Sequence, residues 1–240
     1  MNRALRTYRA VCFAALVAGC SGGGNKAFMA PPPSDNFNMR AGILEMVANG
    51  LSANVSLGGT VTTNGVSTAF TGSGTFTRPP GANVTFDSTA AMSQVTTVAG
   101  SITAAGQTTP YSTSVTDYYA SSDGAFLGEV SANEYDIAQS PIEFPTTVMG
   151  GSSGTLGTLS RYTNSTMSVS LGTAQLSYSV LAPVDPGSPI GIALTTKIFD
   201  TQNNLVETDV TNYTMTSSNV ISLSGASAQN QSGMLTITVQ

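Results

Sequence analysis

Residues 167–180 read Met167-Ser168-Val169-Ser170-Leu171-Gly172-Thr173-Ala174-Gln175-Leu176-Ser177-Tyr178-Ser179-Val180. Apolar side chains alternate with Ser or Gln on either side of Gly172-Thr173. That period of two belongs to a half-buried strand and lays no stripe along a helix. Glycine at the first central position suits a type II′ hairpin turn. Pairing across it sets Leu171 opposite Ala174, Val169 opposite Leu176 and Met167 opposite Tyr178. A slip of one residue would turn every one of these side chains to water, so the stretch predicts an antiparallel sheet with one buried face.

The same alternation recurs toward both ends of the chain. Leu51, Ala53, Val55, Leu57 and Val61 share a face upstream of Asn64-Gly65, a strong hairpin signal. A two-residue turn there pairs Thr63 with Val66, Gly59 with Phe70 and Ala53 with Phe76. Leu235, Ile237 and Val239 make a last strand. One segment departs from the pattern: Met39, Ile43, Met46 and Val47 recur at helical spacing, and Gly50 is placed as a stop. The expected fold is all-β, an antiparallel sandwich or barrel, with one short N-terminal helix.

The two halves resemble each other. Gly74-Thr75-Phe76-Thr77-Arg78 matches Gly157-Thr158-Leu159-Ser160-Arg161. Leu127, Glu129, Tyr135, Ile137, Ser140 and Ile142 match Leu205, Glu207, Tyr213, Met215, Ser218 and Val220. Tyr119 and Phe199 stand before turns built on Asp123-Gly124 and on Gln202-Asn203-Asn204. The expectation is a β domain over residues 37–240, with approximate repeats at 60–145 and 146–225. Two copies are too few for an array, so two related halves forming one sandwich or barrel is the economical reading.

The chain begins with Arg3, Arg6 and Arg9, then an apolar run from Ala10 to Ala18, and closes on Leu16-Val17-Ala18-Gly19-Cys20. A basic start, a short apolar core and small residues before the cut describe a secretory leader. The run falls short of the roughly 20 residues that span a bilayer. Val17-Ala18-Gly19-Cys20 resembles the lipobox of bacterial lipoproteins. That resemblance implies cleavage between Gly19 and Cys20 by the lipoprotein signal peptidase, a diacylglyceryl group on the Cys20 sulfur, and acylation (a palmitate, for example) of the new amine. With Ser21 next and no Asp there, it also implies sorting to the outer membrane. Residues 1–19 are then the leader. Residues 20–36, with Gly22 to Gly24 and Pro31 to Pro33, read as a tether. Two or more acyl chains hold a protein firmly where one holds it marginally. Beyond the lipobox the chain resembles uncharacterised envelope lipoproteins, which adds no catalytic or binding residues.

Composition excludes several classes of function. Three of the eight basic residues precede Cys20 and all thirteen acids follow it. The cleaved chain is acidic, has no basic cluster and is not expected to bind nucleic acid. The membrane contact expected is through acyl chains on Cys20. Cys12 lies in the leader, so the cleaved chain has no cysteine pair for a disulfide. There is no His, which removes His-based zinc sites and Ser-His or Cys-His nucleophiles.

Three groups of residues remain as candidate sites. Asp117, Asp123, Glu129, Glu134, Asp136 and Glu143 are the densest run of acids, and Glu134 and Asp136 stand two apart as a glycosidase pair would. The chain has no Trp to floor a sugar cleft, so a solvated strand face is the simpler reading. Asp123, Asp200 and Glu207 sit near turns and supply oxygen ligands of the kind calcium takes, without the spacing of a full loop; Asp-Gly and Asn-Asn are ordinary turn residues. Tyr111, Tyr118, Tyr119 and Tyr135 would make a glycan-binding face, although such residues more often pack across strands. Five Asn-x-Ser/Thr sequons, Asn54 and Asn164 among them, follow from the Asn, Ser and Thr content. A transmembrane barrel is not expected, because aromatic girdles are missing.

No catalytic residue, metal site or cofactor is therefore expected. The reading is a lipid-anchored envelope protein, non-enzymatic, structural or binding, with an envelope protein or glycan as partner. The alternative is a β-barrel carrier of an apolar ligand. An acid-pair glycan hydrolase stands third.

Overall fold

The Asn64-Gly65 turn forms as expected. Strands β1 (Leu51–Thr63) and β2 (Val66–Arg78) pair with Thr63 opposite Val66, Gly59 opposite Phe70 and Ala53 opposite Phe76. Asn64 and Gly65 both have positive φ, as a type I′ turn demands. The computed structural model describes residues 36–183, 185 and 187–240. The leader, Cys20 and all of the tether but Asn36 lie outside the described residues.

After β2 the chain continues through β3 (Ala82–Phe86), β4 (Thr89–Ala104), β5 (Gln107–Ala120), β6 (Phe126–Ser131), β7 (Tyr135–Ile142), β8 (Ser153–Tyr162) and β9 (Ser170–Leu181). Strands β10 (Ile190–Phe199), β11 (Leu205–Met215), β12 (Ile221–Asn230) and β13 (Gly233–Val239) complete it. Each strand from β4 to β13 pairs antiparallel with the next, and β13 returns to β1. The sheet closes because β4 is long. Its C-terminal half pairs with β2 and its N-terminal half with β3. Twelve strands form a closed barrel, and β3 is an extra strand. The expected sandwich or barrel is thus resolved as a barrel.

Closure gives the alternation its meaning. Inward positions carry the core: Val55 and Leu57, Phe70 and Phe76, Val98 and Ile102, Ile192 and Ile198, Leu235 and Ile237, all buried. Outward positions carry hydroxyls, such as Ser52, Ser56, Thr71, Ser73, Thr75 and Thr77, some bonded across strands as in Thr62–Ser67 and Thr103–Thr108, both 2.8 Å. Among the described residues these outward strand positions are lined mainly by hydroxyls and do not form an apolar band. Where β3 folds back outside, Phe86 packs with Ala91, Ala120, Ala125 and Leu127 as a small second core.

The predicted helix is α1 (Met39–Asn49), with Met39, Ile43, Met46 and Val47 buried as expected and Gly50 as its C-cap. The Asn38 side chain caps its N-terminus by accepting from Ala41 N–H. It lies across one mouth of the barrel. Arg40 N–H donates to Pro145 O, Gly81 N–H donates to Val47 O, and Gln94 Nε2 donates to Met46 O at 2.9 Å. A Cβ on Gly42 would fall 2.8 Å from both Ile221 and Met215 side chains.

The hairpin expected at Gly172-Thr173 does not form there. Both residues lie inside β9, which pairs with β8 through Gly172–Arg161 and Ala174–Leu159. The turn lies upstream, where the Asn164 side chain accepts from Thr166 N–H at 3.0 Å and Met167 takes positive φ. Gly172 serves close approach instead: a Cβ there would lie 2.1 Å from Phe199 O. Met167 and Val169 are consequently exposed, while Ala174 and Val180 keep their place on the core face.

The sequence-matched segments take different paths. Five antiparallel pairings separate β2 from β8, so Gly74–Arg78 and Gly157–Arg161 run in opposite directions along the barrel. Residues 126–142 form the hairpin β6–β7, whereas 205–215 is the single strand β11. Tyr135 faces out and Tyr213 faces in.

The β2–β4 seam sets Gly74 opposite Gly100 on the inner face. A Cβ on Gly100 would lie 2.1 Å from Ser73 O, and one on Gly74 would lie 2.2 Å from Ala99 O. Gly100→Val should therefore lower the unfolding free energy by about 3 kcal/mol or more in urea titration. Gly58→Ala, whose added carbon meets nothing nearer than 4.0 Å, should change it by less than about 1 kcal/mol. Equal effects would mean the seam does not constrain closure.

Candidate functional site

Inward positions of neighbouring strands carry a row of polar groups. From β4 to β8 the register partners are Gln94, Asp117, Glu129, Asp136 and Arg161. Three carboxylates thus stand side by side. Arg78, at the last inward position of β2, holds one end. Its Nη2 donates to Asp117 Oδ2 at 2.5 Å and to the Tyr119 hydroxyl at 3.0 Å, and its Nη1 donates to the Tyr213 hydroxyl at 3.4 Å. Arg161 holds the other end. Its Nη2 meets Glu134 Oε2 at 2.8 Å, and its Nε lies 3.6 Å from Asp136 Oδ2. Both arginines are 6 % exposed and Asp136 is 0 % exposed. Glu207 and Asp209 face inward from β11, Glu207 accepting from Asn230 Nδ2 at 3.0 Å. Among the described residues the interior holds five carboxylates and two guanidinium groups.

A cavity of about 100 Å³ opens beside the Arg78 end of this row. One wall is polar, formed by Arg78, Asp117, Glu129, Tyr119 and Tyr213. The other is apolar, with the rings of Phe76, Phe126 and Phe144 and the side chains of Leu176 and Leu194. An amphipathic interior space with a few converging polar groups is the usual form of a small-molecule site.

Burial governs the titration of this wall. It pushes the Asp117 carboxyl up to about 6; Arg78 pulls the other way, and the neighbouring Glu129 adds to the rise. Burial also holds the Tyr119 hydroxyl above its ordinary range. Burial opposes the charge of Arg78, but Tyr119, Asp117 and Tyr213 outweigh it and keep the guanidinium protonated.

The structure sorts the sequence candidates. Of the acids, Asp117, Glu129 and Asp136 converge inside the barrel. Glu134 lies in the turn before β7 and shares Arg161 with Asp136, so that pair is bound to a guanidinium and flanks no cleft. Glu143 is at the surface, paired with Arg40 at 2.6 Å. The calcium candidates do not converge. Asp123 accepts from Ala125 N–H at 3.0 Å, and Asp200 accepts from Gln202 N–H and Asn204 N–H at 2.9 and 2.8 Å. These turns lie at opposite ends of the barrel, and Glu207 faces inward. Among the described residues no group of three or more acids is arranged to hold a metal ion. The four tyrosines do not share a face. Tyr111 and Tyr119 are interior, while Tyr118 and Tyr135 pack outside on Phe86, with ring centroids 4.1 and 5.4 Å away. Arg78, Tyr213 and the leucines of the cavity were not among the candidates. The signal for Arg78 was present, because the Asn64-Gly65 register sets it on the inward face opposite Leu51.

No protein-family model matches the chain, and no curated protein matches it. Among solved structures, the chain is similar to a DUF1329 family protein from Desulfovibrio piger, with a TM-score of 0.27 and 7 % identity over 85 % of this chain and 92 % of that one. A likeness of that degree carries no argument about function.

Because its folded value lies above the ordinary 3.8, Asp117 takes up a proton on folding between about pH 4 and 6. Its contribution to stability is full below that window and is lost as the pH rises through about 6. Carboxyl carbon NMR should show Asp117 titrating near pH 6 in wild type and higher in Arg78→Met. A midpoint near 4 in wild type would mean that the ion pair outweighs burial.

Proposed function

We propose that this protein is a lipid-anchored, non-enzymatic binding module of the cell envelope, held at the outer membrane through Cys20, with its binding site inside the barrel. The observation that carries the site is the amphipathic cavity, where the Arg78–Asp117–Tyr119–Tyr213 cluster faces aromatic and aliphatic side chains. The anchor rests on the lipobox resemblance of Val17-Ala18-Gly19-Cys20. It is supported by an outer wall of hydroxyls, which gives the barrel itself little to hold it in a bilayer. No helix among the described residues is long and apolar enough to cross a membrane.

A small polar guest fits this interior better than a long apolar one. The space, about 100 Å³, is below the roughly 300 Å³ of an ordinary ligand pocket. Its charged wall would also have to be desolvated by an apolar chain without compensation. A glycan hydrolase is less well supported, since the neighbouring carboxylates Asp117 and Glu129 line an interior space too small for a glycoside and Glu134 and Asp136 are held by Arg161.

Two measurements test the parts separately. Wild type should fractionate with outer membranes and incorporate labelled palmitate, and Cys20→Ala should do neither. A Cys20→Ala protein that stays in washed membranes would remove the anchor. In a screen of small solutes, some should raise the unfolding temperature of wild type but not of a cavity-filling Leu194→Phe variant. If none does, the interior is structural and the binding reading falls.

A further inference from the structure

The extra strand keeps an open edge. β3 pairs with β4, and no other strand of the described residues stands on its far side. Its turn decides which backbone groups face that edge. The two-residue turn Asp87-Ser88 makes Phe86 and Thr89 a hydrogen-bonded pair, and bonded pairs alternate from there. Ala82, Val84 and Phe86 therefore bond to β4. The N–H and C=O groups of Asn83 and Thr85 point away from it. Ala82, Asn83, Val84 and Thr85 are all exposed, so two donors and two acceptors stand in a row on a free edge.

β3 is fixed in that position. Phe86 is buried and stacks on Tyr118 with ring centroids 4.1 Å apart. At the other end Gly81 N–H donates to Val47 O at 2.7 Å. The turn itself is strained, because Asp87 and Ser88 take φ of 43° and 65° with no Gly at either position. Edge strands are ordinarily blunted by a charge, a proline or a bulge. β3 has none of these: Pro79 and Pro80 lie before it, Asp87 lies after it, and its register with β4 is unbroken.

The edge is also self-complementary. A two-fold axis at Val84 sets Asn83 opposite Thr85 of a second copy and Thr85 opposite its Asn83, each pair exchanging two backbone bonds. Val84, 37 % exposed, then lies against its own twin. No residue from Ala82 to Phe86 is charged, so no like charges meet in this register.

We propose that β3 joins β3 of a second copy of this chain, edge to edge and antiparallel, so that two barrels share one sheet. A contact made by a five-residue strand is small against the roughly 1,200–2,000 Å² of a stable interface, so the association is reversible. An extended segment of another protein would use the same backbone groups, but only a second copy places residue 84 against itself. The pairing is independent of the interior cavity.

Cysteine crosslinking of the purified full-length protein reads that register. Residue 84 and its twin, opposed in a non-hydrogen-bonded pair, stand about 4.5 Å apart and within disulfide reach, whereas residue 83 and its twin stand roughly 9 Å apart and outside it. Under mild oxidation Val84→Cys should give covalent dimers, counted above wild type, at least about fivefold more than Asn83→Cys. Sedimentation equilibrium of wild type should show monomer and dimer in exchange. Val84→Lys, which sets two ammonium groups face to face, should weaken the dimer about tenfold or more. Equal crosslinking of the two cysteine variants, or none in either, would overturn the pairing. A wild type that stays monomeric at millimolar concentration would do the same, as would a dimer that Val84→Lys leaves intact.

Discussion

Everything inside this protein depends on one seam. The β2–β4 pairing closes the sheet, and it can do so only because Gly74 and Gly100 present no side chain where the two backbones approach. An open sheet of these strands would leave two long edges of unpaired backbone. Closure removes them and turns a period of two into an inside and an outside. Twelve strands enclose more space than eight, whose interior side chains just fill. The interior therefore takes Phe, Tyr and Arg where a narrower barrel would take Val and Leu, and α1 covers one mouth.

That width permits the electrostatic arrangement. Asp117, Glu129 and Asp136 are neighbours on three adjacent strands, a spacing at which like charges repel. They are held together because Arg78 and Arg161 terminate the row, each satisfied by more than one partner. A buried ion pair contributes little net stability, since desolvation offsets most of the attraction, but removing one partner is costly. The row thus fixes which side chains face one another across the cavity more than it stabilises the fold. The outer wall is the opposite case. Its Ser and Thr hydroxyls need no partner but water, and they account for a composition poor in Lys and Glu.

How much of this the sequence revealed depended on whether the deciding contact was local. Asn64-Gly65 could be read with its full register because a type I′ turn requires positive φ at two consecutive residues, and those two residues supply it. Gly172-Thr173 looked equally good and misled, because glycine also serves where another backbone comes close, and Phe199 O is remote in sequence. Barrel or sandwich stayed open for the same reason: the pairing of Phe70 with Ala104 decides it, and no local pattern encodes that pairing. The acids of the cavity were visible as a cluster, but their partner Arg78 was not, although hairpin parity already placed it inside.

The route by which a guest reaches the cavity follows from what would have to break. Through the wall it would have to part a strand ladder, with several backbone hydrogen bonds lost together. At the mouth covered by α1 the polar contacts are separate points: Gln94 Nε2 to Met46 O, Gly81 N–H to Val47 O, Arg40 N–H to Pro145 O and its side chain to Phe144 O and Glu143, Asn38 N–H to Asn219, and the two backbone bonds between Phe37 and Val148. Lifting the helix leaves the closed sheet intact, and it is opposed by these bonds together with the apolar contacts of Met39, Ile43, Met46 and Val47. Gln94 gives the mouth a direct relation to the site. It is the register neighbour of Asp117, and its amide holds the last turn of α1. A change of charge at Asp117 therefore acts one residue away from one of the bonds that hold α1 over the mouth, and the same strand, β4, carries the seam, that bond and part of the wall of the cavity.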